Sequence, residues 1–184
     1  MIDLSWIVGG CWVAFWLAWA ICAMVFGGGA QRSFSPVASG VRLLIVWSVF
    51  LGFFFAPRWL SFGELTDELA ITGAALCIIG VAFAVWARVA LGRNWGMPMT
   101  RHADPELVTS GPYRFVRHPI YTGLSVILIG SALVYPHAVA LPCALMVGYS
   151  VFSARREERD LEARFPETYP VYKRRSKFLV PFVF

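Results

Sequence analysis

Leu107-Val108-Thr109-Ser110-Gly111-Pro112-Tyr113-Arg114-Phe115-Val116-Arg117-His118-Pro119-Ile120-Tyr121-Thr122-Gly123 is the stretch on which the reading of this chain turns. It gathers turn residues, cations, a histidine and hydroxyls in an otherwise apolar sequence, and it ends where a hydrophobic helix should begin. Pro112 and Pro119 each bias the preceding residue away from helix, and each can serve as a first helical residue. His118 is therefore expected in extended backbone at the entrance of a helix that opens at Pro119. Arg114, Arg117 and His118 then crowd where the free N–H groups of a helix start favour an anion. Spacings of three and four bring Tyr121 to the same place. Two guanidiniums and an imidazole make a clamp for a carboxylate or phosphate of a cofactor or substrate. A plainer use of the same charges is a basic patch touching anionic lipid headgroups.

Working outward, the 184 residues are 58% hydrophobic and 15% charged, with a mean hydropathy of +0.64. Soluble domains carry about 25% charged residues, so a membrane protein is expected, built as one bundle. The net charge of +5 matters through its distribution, and no nucleic-acid partner is expected. Cys11, Cys22, Cys77 and Cys143 lie inside apolar runs with no CxxC pair, which suits small core or lipid-facing residues rather than disulfides or metal ligands. The uncharged run after Ser5 is too long for the apolar region of a cleavable signal peptide.

Residues 6–26, 41–60 and 69–91 are apolar runs long enough to cross a hydrocarbon core of about 30 Å. Residues 119–134 and 137–153 form a shorter apolar pair joined by Tyr135-Pro136, expected as a helical hairpin with a kink near Pro142. Gly73 and Gly80 in the third run permit close helix contact. Glu64, Asp67 and Glu68 are expected in a short acidic loop before it. From Ala154 the chain becomes basic and amphipathic. The expected fold class is all-α: a bundle of about five transmembrane helices with a short C-terminal cytoplasmic helical segment. Residues 1–184 form a single membrane domain, with two scaffold spans in 1–68 and a core in 69–184. With the N-terminus outside, the cytoplasmic side carries 15 of the 16 Lys and Arg residues, Arg58 being the exception, and that bias sets the orientation. Trp6, Trp47, Trp59 and Trp95 sit near span ends, as interfacial aromatics do.

Three further groups could carry chemistry. Arg155, Arg156, Glu157, Glu158 and Asp160 start where the last apolar run ends. They are either solvated surface charge or acceptors for ribose hydroxyls or an amine. Leu91-Gly92-Arg93-Asn94-Trp95-Gly96 is a loop that closes over a pocket or rests at the interface. Tyr169, Tyr172, Lys173, Arg174 and Arg175 lie on a short helix or turn, which as a plain basic helix would rest on lipid. The three histidines, His102, His118 and His137, lie apart from thiols and carboxylates at ligand spacing, so no metal is expected. No P-loop, Gly-x-Gly-x-x-Gly, Gly-x-Ser-x-Gly or His-Glu-x-x-His pattern occurs.

Leu107 to Tyr113 followed by Arg117-His118-Pro119-Ile120-Tyr121-Thr122-Gly123 resembles the signature of the isoprenylcysteine carboxyl methyltransferases and their bacterial relatives, which include phospholipid methyltransferases. Glu157-Glu158-Arg159-Asp160-Leu161 is similar to the family's Glu-Glu-x-x-Leu. Phe165, Tyr169, Tyr172 and Leu179-Val180-Pro181 fit its C-terminal pattern, and Leu91 to Trp95 fits an upstream element of bacterial members. The match runs from Leu91 to Phe184. One departure is Pro166, where the pattern has Gly.

The resemblance implies an integral-membrane enzyme, in a bacterial inner membrane, using S-adenosylmethionine in a pocket on the cytoplasmic side. It implies cofactor binding by Tyr113, His118, Pro119, Tyr121, Gly123, Glu157, Glu158 and Tyr169. His118 and Tyr121 would meet the methionine end, and Gly123 would let its helix approach the cofactor. Glu157 or Glu158 would anchor the ribose or amino group. Arg117, Arg156 and Glu158 would stand nearest methyl transfer. The acceptor would be a lipophilic molecule of the bilayer, a prenylcysteine-type carboxylate or a lipid headgroup. A carboxylate is already ionised at neutral pH, whereas an amine must first lose a proton. Two alternatives stay open: a sterol-type membrane reductase using NADPH, and a non-catalytic lipid-binding protein.

Overall fold

The computed structural model describes residues 4–26, 66–95, 106–135 and 140–180, with all of Leu141 beyond its helical backbone set aside. Five α-helices lie in these segments: α1 (Ser5–Phe26), α2 (Asp67–Leu91), α3 (Pro119–Val134), α4 (Ala140–Arg164) and α5 (Thr168–Arg175). No strand occurs among the described residues. An isolated parallel bridge joins Val116 to Lys177. The expected second span, Glu64, Trp47, Trp59, His102, His137, Pro136, Gly96 and Pro181 lie outside the described residues.

Among the described residues, two helices are long and apolar enough to cross a membrane, α1 and the run from α2 through Asn94. Their large apolar side chains face outward. Val13, Trp16, Leu17 and Ile21 of α1 and Ile71, Ile78, Ile79 and Val89 of α2 are all exposed. Small residues face inward: Ala70, Gly73, Ala74, Cys77, Gly80, Ala84 and Ala87 line the buried side of α2 at intervals of three and four. A water-soluble helix buries its large residues. This inverse arrangement suits hydrocarbon surroundings, where close backbone approach supplies the packing energy.

The small residues bring α2 against α3. A Cβ added at Gly73 would stand 2.7 Å from the Gly130 carbonyl oxygen, and one at Gly80 would stand 2.8 Å from that of Gly123. Polar groups at this contact are satisfied locally. The Ser131 hydroxyl donates to the Ile127 carbonyl at 2.8 Å and accepts from Trp12 Nε1 of α1 at 3.1 Å. All four cysteines are unpaired and buried, which selects core over lipid-facing placement.

Three boundaries differ from the sequence reading. Asp67 and Glu68 are the first turn of α2 rather than a loop, because Thr66 caps it by accepting from the Leu69 N–H at 3.3 Å and acids suit a helix start. Pro142 sits in the first turn of α4, where its missing N–H removes no helical bond. Helix α4 also runs on to Arg164 without a break at Ser153. Residues 154–164 hold only Ala, Leu and charged residues, with no Gly or Pro to stop the helix before Pro166.

The tight contact is open to test. Gly130→Val places a side chain where a Cβ alone would stand 2.5 Å from the Gly73 carbonyl oxygen, and overpacking costs about 1–3 kcal/mol. Its thermal midpoint in detergent should fall clearly below wild type. Gly148→Ala, at a site with nothing within 4 Å, should hold or raise the midpoint. Equal midpoints for Gly130→Val and wild type would exclude the packing described.

Candidate functional site

After the 3-10 turn at Gly111–Arg114, the chain straightens and pairs with the C-terminal segment. Arg117 N–H donates to the Lys177 carbonyl at 2.8 Å, and Lys177 N–H donates to that of Phe115 at 3.0 Å. His118 is the N-cap of α3, outside helical backbone at φ −125° and ψ 58°, with Pro119 as first helical residue. This is the entrance that the two prolines predict. The Thr122 hydroxyl, one turn inside, donates to the Leu179 carbonyl at 2.6 Å. Tyr172 of α5 donates its hydroxyl to the Tyr113 carbonyl at 2.7 Å. The C-terminal segment is thus bound to the start of α3 at several points.

The anions that meet this cation cluster belong to the chain itself. Glu158 of α4 is buried and accepts from Arg117 Nε. Lys173 Nζ lies 3.2 Å from its second oxygen, and His118 Nε2 lies 3.6 Å from its first. The Arg117 guanidinium continues to the Lys173 and Ser176 carbonyls. Glu157, one residue earlier, faces a different set. It accepts from the Tyr121 hydroxyl at 2.6 Å and lies 3.7 Å from His118 Nδ1. Its side chain keeps 35% exposure, against 11% for Glu158.

The electrostatics follow. Burial alone would lower the His118 pKa, but Glu157 and Glu158 outweigh it and hold the value above the ordinary 6.5. Burial would raise Glu158, but His118, Arg117 and Lys173 bring it down to about 2. Burial raises the Tyr169 and Tyr113 hydroxyls, and neighbouring Glu158 and Glu157 respectively add to that. At neutral pH the cluster therefore holds an ionised Glu158, and His118 keeps its proton to a higher pH than a free imidazole does.

Two buried polar atoms remain without a hydrogen-bond partner here: His118 Nε2 and the Tyr169 hydroxyl. Buried polar atoms are nearly always satisfied. Orphaned donors beside a partly exposed carboxylate therefore mark a place for a polar ligand. A group carrying both an ammonium and a carboxylate fits this set, with Glu157 as acceptor and His118 and Tyr169 as donors.

The predicted site residues divide. The structure brings together Arg117, His118, Tyr121, Glu157, Glu158 and Tyr169, with buried Pro119 and Tyr113 supporting them. Arg156 is exposed on α4 and stands apart from these contacts. Gly123 faces α2, where an added Cβ would stand 2.7 Å from Ala84 Cβ, so the approach it admits is between helices. Arg114 does not join Arg117 and His118. The spacing of three holds only within a helix, and between the two arginines the turn ends and Val116 bridges to Lys177. Arg114 instead lines a cleft of about 800 Å³ with Glu106, Thr109, Thr168, Tyr172 and Arg175. The Gly92–Asn94 turn leaves Trp95 packed on Arg88 at 4.7 Å. Phe178 and Ser176 were not singled out by sequence, and Lys173 was named only as part of the basic group 173–175. Lys173 read as one of several surface cations, and nothing local tells it from Arg174.

These residues lie in a region shared with known proteins. The family described as phospholipid methyltransferase matches residues 69–168. The protein-S-isoprenylcysteine O-methyltransferase of Tribolium castaneum is 27% identical over 165 residues, covering 88% of this chain and 55% of that protein. Methanethiol S-methyltransferase 1 of Bradyrhizobium diazoefficiens is 28% identical over 138 residues, covering 67% and 48%. The chain therefore spans about half the length of these two relatives. A solved structure of the eukaryotic intramembrane Ras methyltransferase ICMT aligns with a TM-score of 0.63 over 96% of this chain and 67% of that one, at 22% identity, and so shares its fold. With every paired residue from Arg117 to Glu158 inside a match that covers more than half of its length, the chain belongs to the phospholipid methyltransferase family.

Proposed function

We propose that this chain transfers a methyl group from S-adenosylmethionine to a lipophilic acceptor drawn from the bilayer. The observation that carries the reading is His118, buried between two carboxylates with Nε2 making no hydrogen bond, beside a partly exposed Glu157. When bound, the cofactor supplies a methyl on a sulfonium, so the acceptor forms its new bond as the carbon–sulfur bond breaks and the electron pair stays on sulfur.

The chain's own residues bind and orient. Glu157 accepts from the amino group at the methionine end. His118 and Tyr169 donate to the carboxylate there. Tyr121 holds Glu157 in place, while Arg117 and Lys173 hold Glu158. Glu158 is consumed by these internal contacts, which makes Glu157 the carboxylate that meets the cofactor. Such chemistry needs positioning and exclusion of water more than acid–base help. We also read the chain as several spans with the N-terminus outside and the site toward the cytoplasm, where the positive charges gather. Residues 69–184 then form the methyltransferase core, and 1–68 the scaffold.

Two measurements test this. Calorimetry with S-adenosylhomocysteine should show binding to wild type. Glu157→Gln should weaken it by roughly tenfold to a hundredfold, the worth of one hydrogen bond to a charged group, with the thermal midpoint little changed. Glu158→Gln should instead lower the midpoint. No binding to wild type, or tight binding to Glu157→Gln, would sink the assignment.

The second concerns pH. The folded His118 ring holds its proton more tightly than the unfolded one. Its contribution to stability is fully present below the ordinary 6.5 and is lost as pH rises through the higher folded value. The gap in thermal midpoint between wild type and His118→Gln should therefore shrink from about pH 6.5 upward. Glu158 acts in the opposite sense. Its contribution is present above 4.5 and lost as pH falls toward about 2. A His118→Gln gap that stays constant or widens as pH rises above about 6.5 would contradict the charged ring.

A further inference from the structure

The cleft of about 800 Å³ beside Arg114 is walled by parts of two stretches, 106–114 and 165–175, and His118, Glu157 and Glu158 are not among its lining residues. Each stretch brings one guanidinium, Arg114 and Arg175, and one hydroxyl, Thr109 and Thr168. Both arginines are exposed, and among the described residues neither forms a salt bridge. Arg117 and Lys173, by contrast, are taken up by Glu158. The single acid lining the cleft, Glu106, pairs with neither arginine, so the walls stay cationic. Two guanidiniums that converge on one cleft without an internal carboxylate present donors for an anion.

The depth of the cleft follows from α2. The turn at Gly111–Arg114 packs on the last turns of that apolar helix, since a Cβ on Gly111 would stand 3.2 Å from Ala90 Cβ and 3.7 Å from Trp86 Nε1. Arg114 therefore leaves the turn where a helix long enough to cross a membrane ends, which is the level of lipid headgroups. Trp86 is exposed at that level, as interfacial indoles are. Phe115, Val171 and Val180 are exposed as well, although they lie outside the apolar helices. Val171 lines the cleft itself, between Thr168 and Arg175 on α5. Apolar side chains interleaved with cations at the end of a span suit a surface that meets headgroups and the first acyl carbons.

We propose that this cleft seats the phosphate of an anionic phospholipid, with Arg114 and Arg175 as its charged donors. The lipid is a bound ligand there and not a methyl acceptor, and the inference does not depend on the methyl-transfer reading. A guanidinium presents parallel donors that match phosphate oxygens. The same arginines repel the ammonium of a zwitterionic headgroup, which sets an anionic lipid above a neutral one. Leu107, Phe165 and Val171 leave the start of the acyl chains an apolar wall. A seated headgroup bridges 106–114 to α5, two stretches already joined where Tyr172 donates its hydroxyl to the Tyr113 carbonyl. It thus braces the helix that carries Tyr169 and Lys173 to the candidate site.

The test titrates the full chain in detergent with dioleoylphosphatidylglycerol and reads bound lipid by native mass spectrometry. The matching phosphatidylcholine and phosphatidylethanolamine are the neutral controls, and inorganic phosphate is the probe without tails. Wild type should hold the anionic lipid at least about tenfold more tightly than either control, the worth of a hydrogen bond to a charged group. Arg114→Gln and Arg175→Gln should each weaken it by about fivefold or more, the worth of one cation at an anionic lipid surface. Arg159→Gln removes an exposed cation from α4 and should change it by less than about twofold if the seat is local. Equal holding of anionic and neutral lipids by wild type overturns the proposal whether or not any variant folds. Undiminished holding in both cleft variants overturns it, and so does an equal loss in Arg159→Gln, which marks a diffuse charge effect. Displacement of the lipid by an equal concentration of inorganic phosphate assigns the cleft to a free anion and overturns the lipid as its occupant.

Discussion

The pairing of Arg117 with Glu158 is the interaction on which the rest of the site depends. One guanidinium reaches the carboxylate of α4 and the carbonyls of Lys173 and Ser176 in the C-terminal segment. Three stretches far apart in sequence meet at that side chain. Such a pair adds little net stability over an apolar contact of the same shape. What it supplies is orientation, because removing either partner leaves a buried charge unmatched. With Glu158 held, the rotation of α4 is set, and Glu157, one residue away, is turned toward Tyr121 and His118. Identity alone does not separate the two acids. One is used up by the protein and its neighbour keeps room for a ligand.

Beneath the site, the depth of α3 is set by contact with α2. Carbonyls at Gly123 and Gly130 sit where side chains on Gly80 and Gly73 would have to be. A gain in bulk at these positions moves α3, and with it the helix entrance where His118 stands. The scaffold therefore governs the chemistry through backbone distance, without contributing a functional group. The outward-facing Trp, Ile and Val side chains of α1 and α2 show the same economy, since they are left exposed as suits hydrocarbon surroundings.

The apolar runs were legible as helices wherever composition alone decides, as for α1, α2 and α3. The extension of α4 past Ser153 was not legible from hydropathy, which reports lipid contact and is silent on helix continuing into water. Helix propensity of residues 154–164 carried that information. The entrance at His118 could be read because prolines restrict the backbone locally. The grouping of Arg114 with Arg117 failed for the complementary reason. It carried helical spacing back ahead of the helix start at Pro119, and the intervening backbone pairs with Lys177, some sixty positions later. The contacts of Lys173 and Phe178 were not legible on the same ground, since only the folded chain brings them to Glu158 and His118. Glu157 and Glu158 were found together through their motif, and their division of labour required knowing what Arg117 touches.

The return of residues 176–180 to the start of α3 sets an order of events during synthesis. The Phe115 carbonyl, the Arg117 N–H and the Thr122 hydroxyl bond to the main chain of Lys177 and Leu179. Those residues are made more than fifty positions after the helix entrance they complete. While the ribosome still holds them, α2 and α3 can already lie against each other in the bilayer. His118 then faces an open entrance, and Arg117 has neither the Lys173 nor the Ser176 carbonyl to bond. The contact of α2 with α3 and the completion of the site thus depend on stretches of chain made at different times.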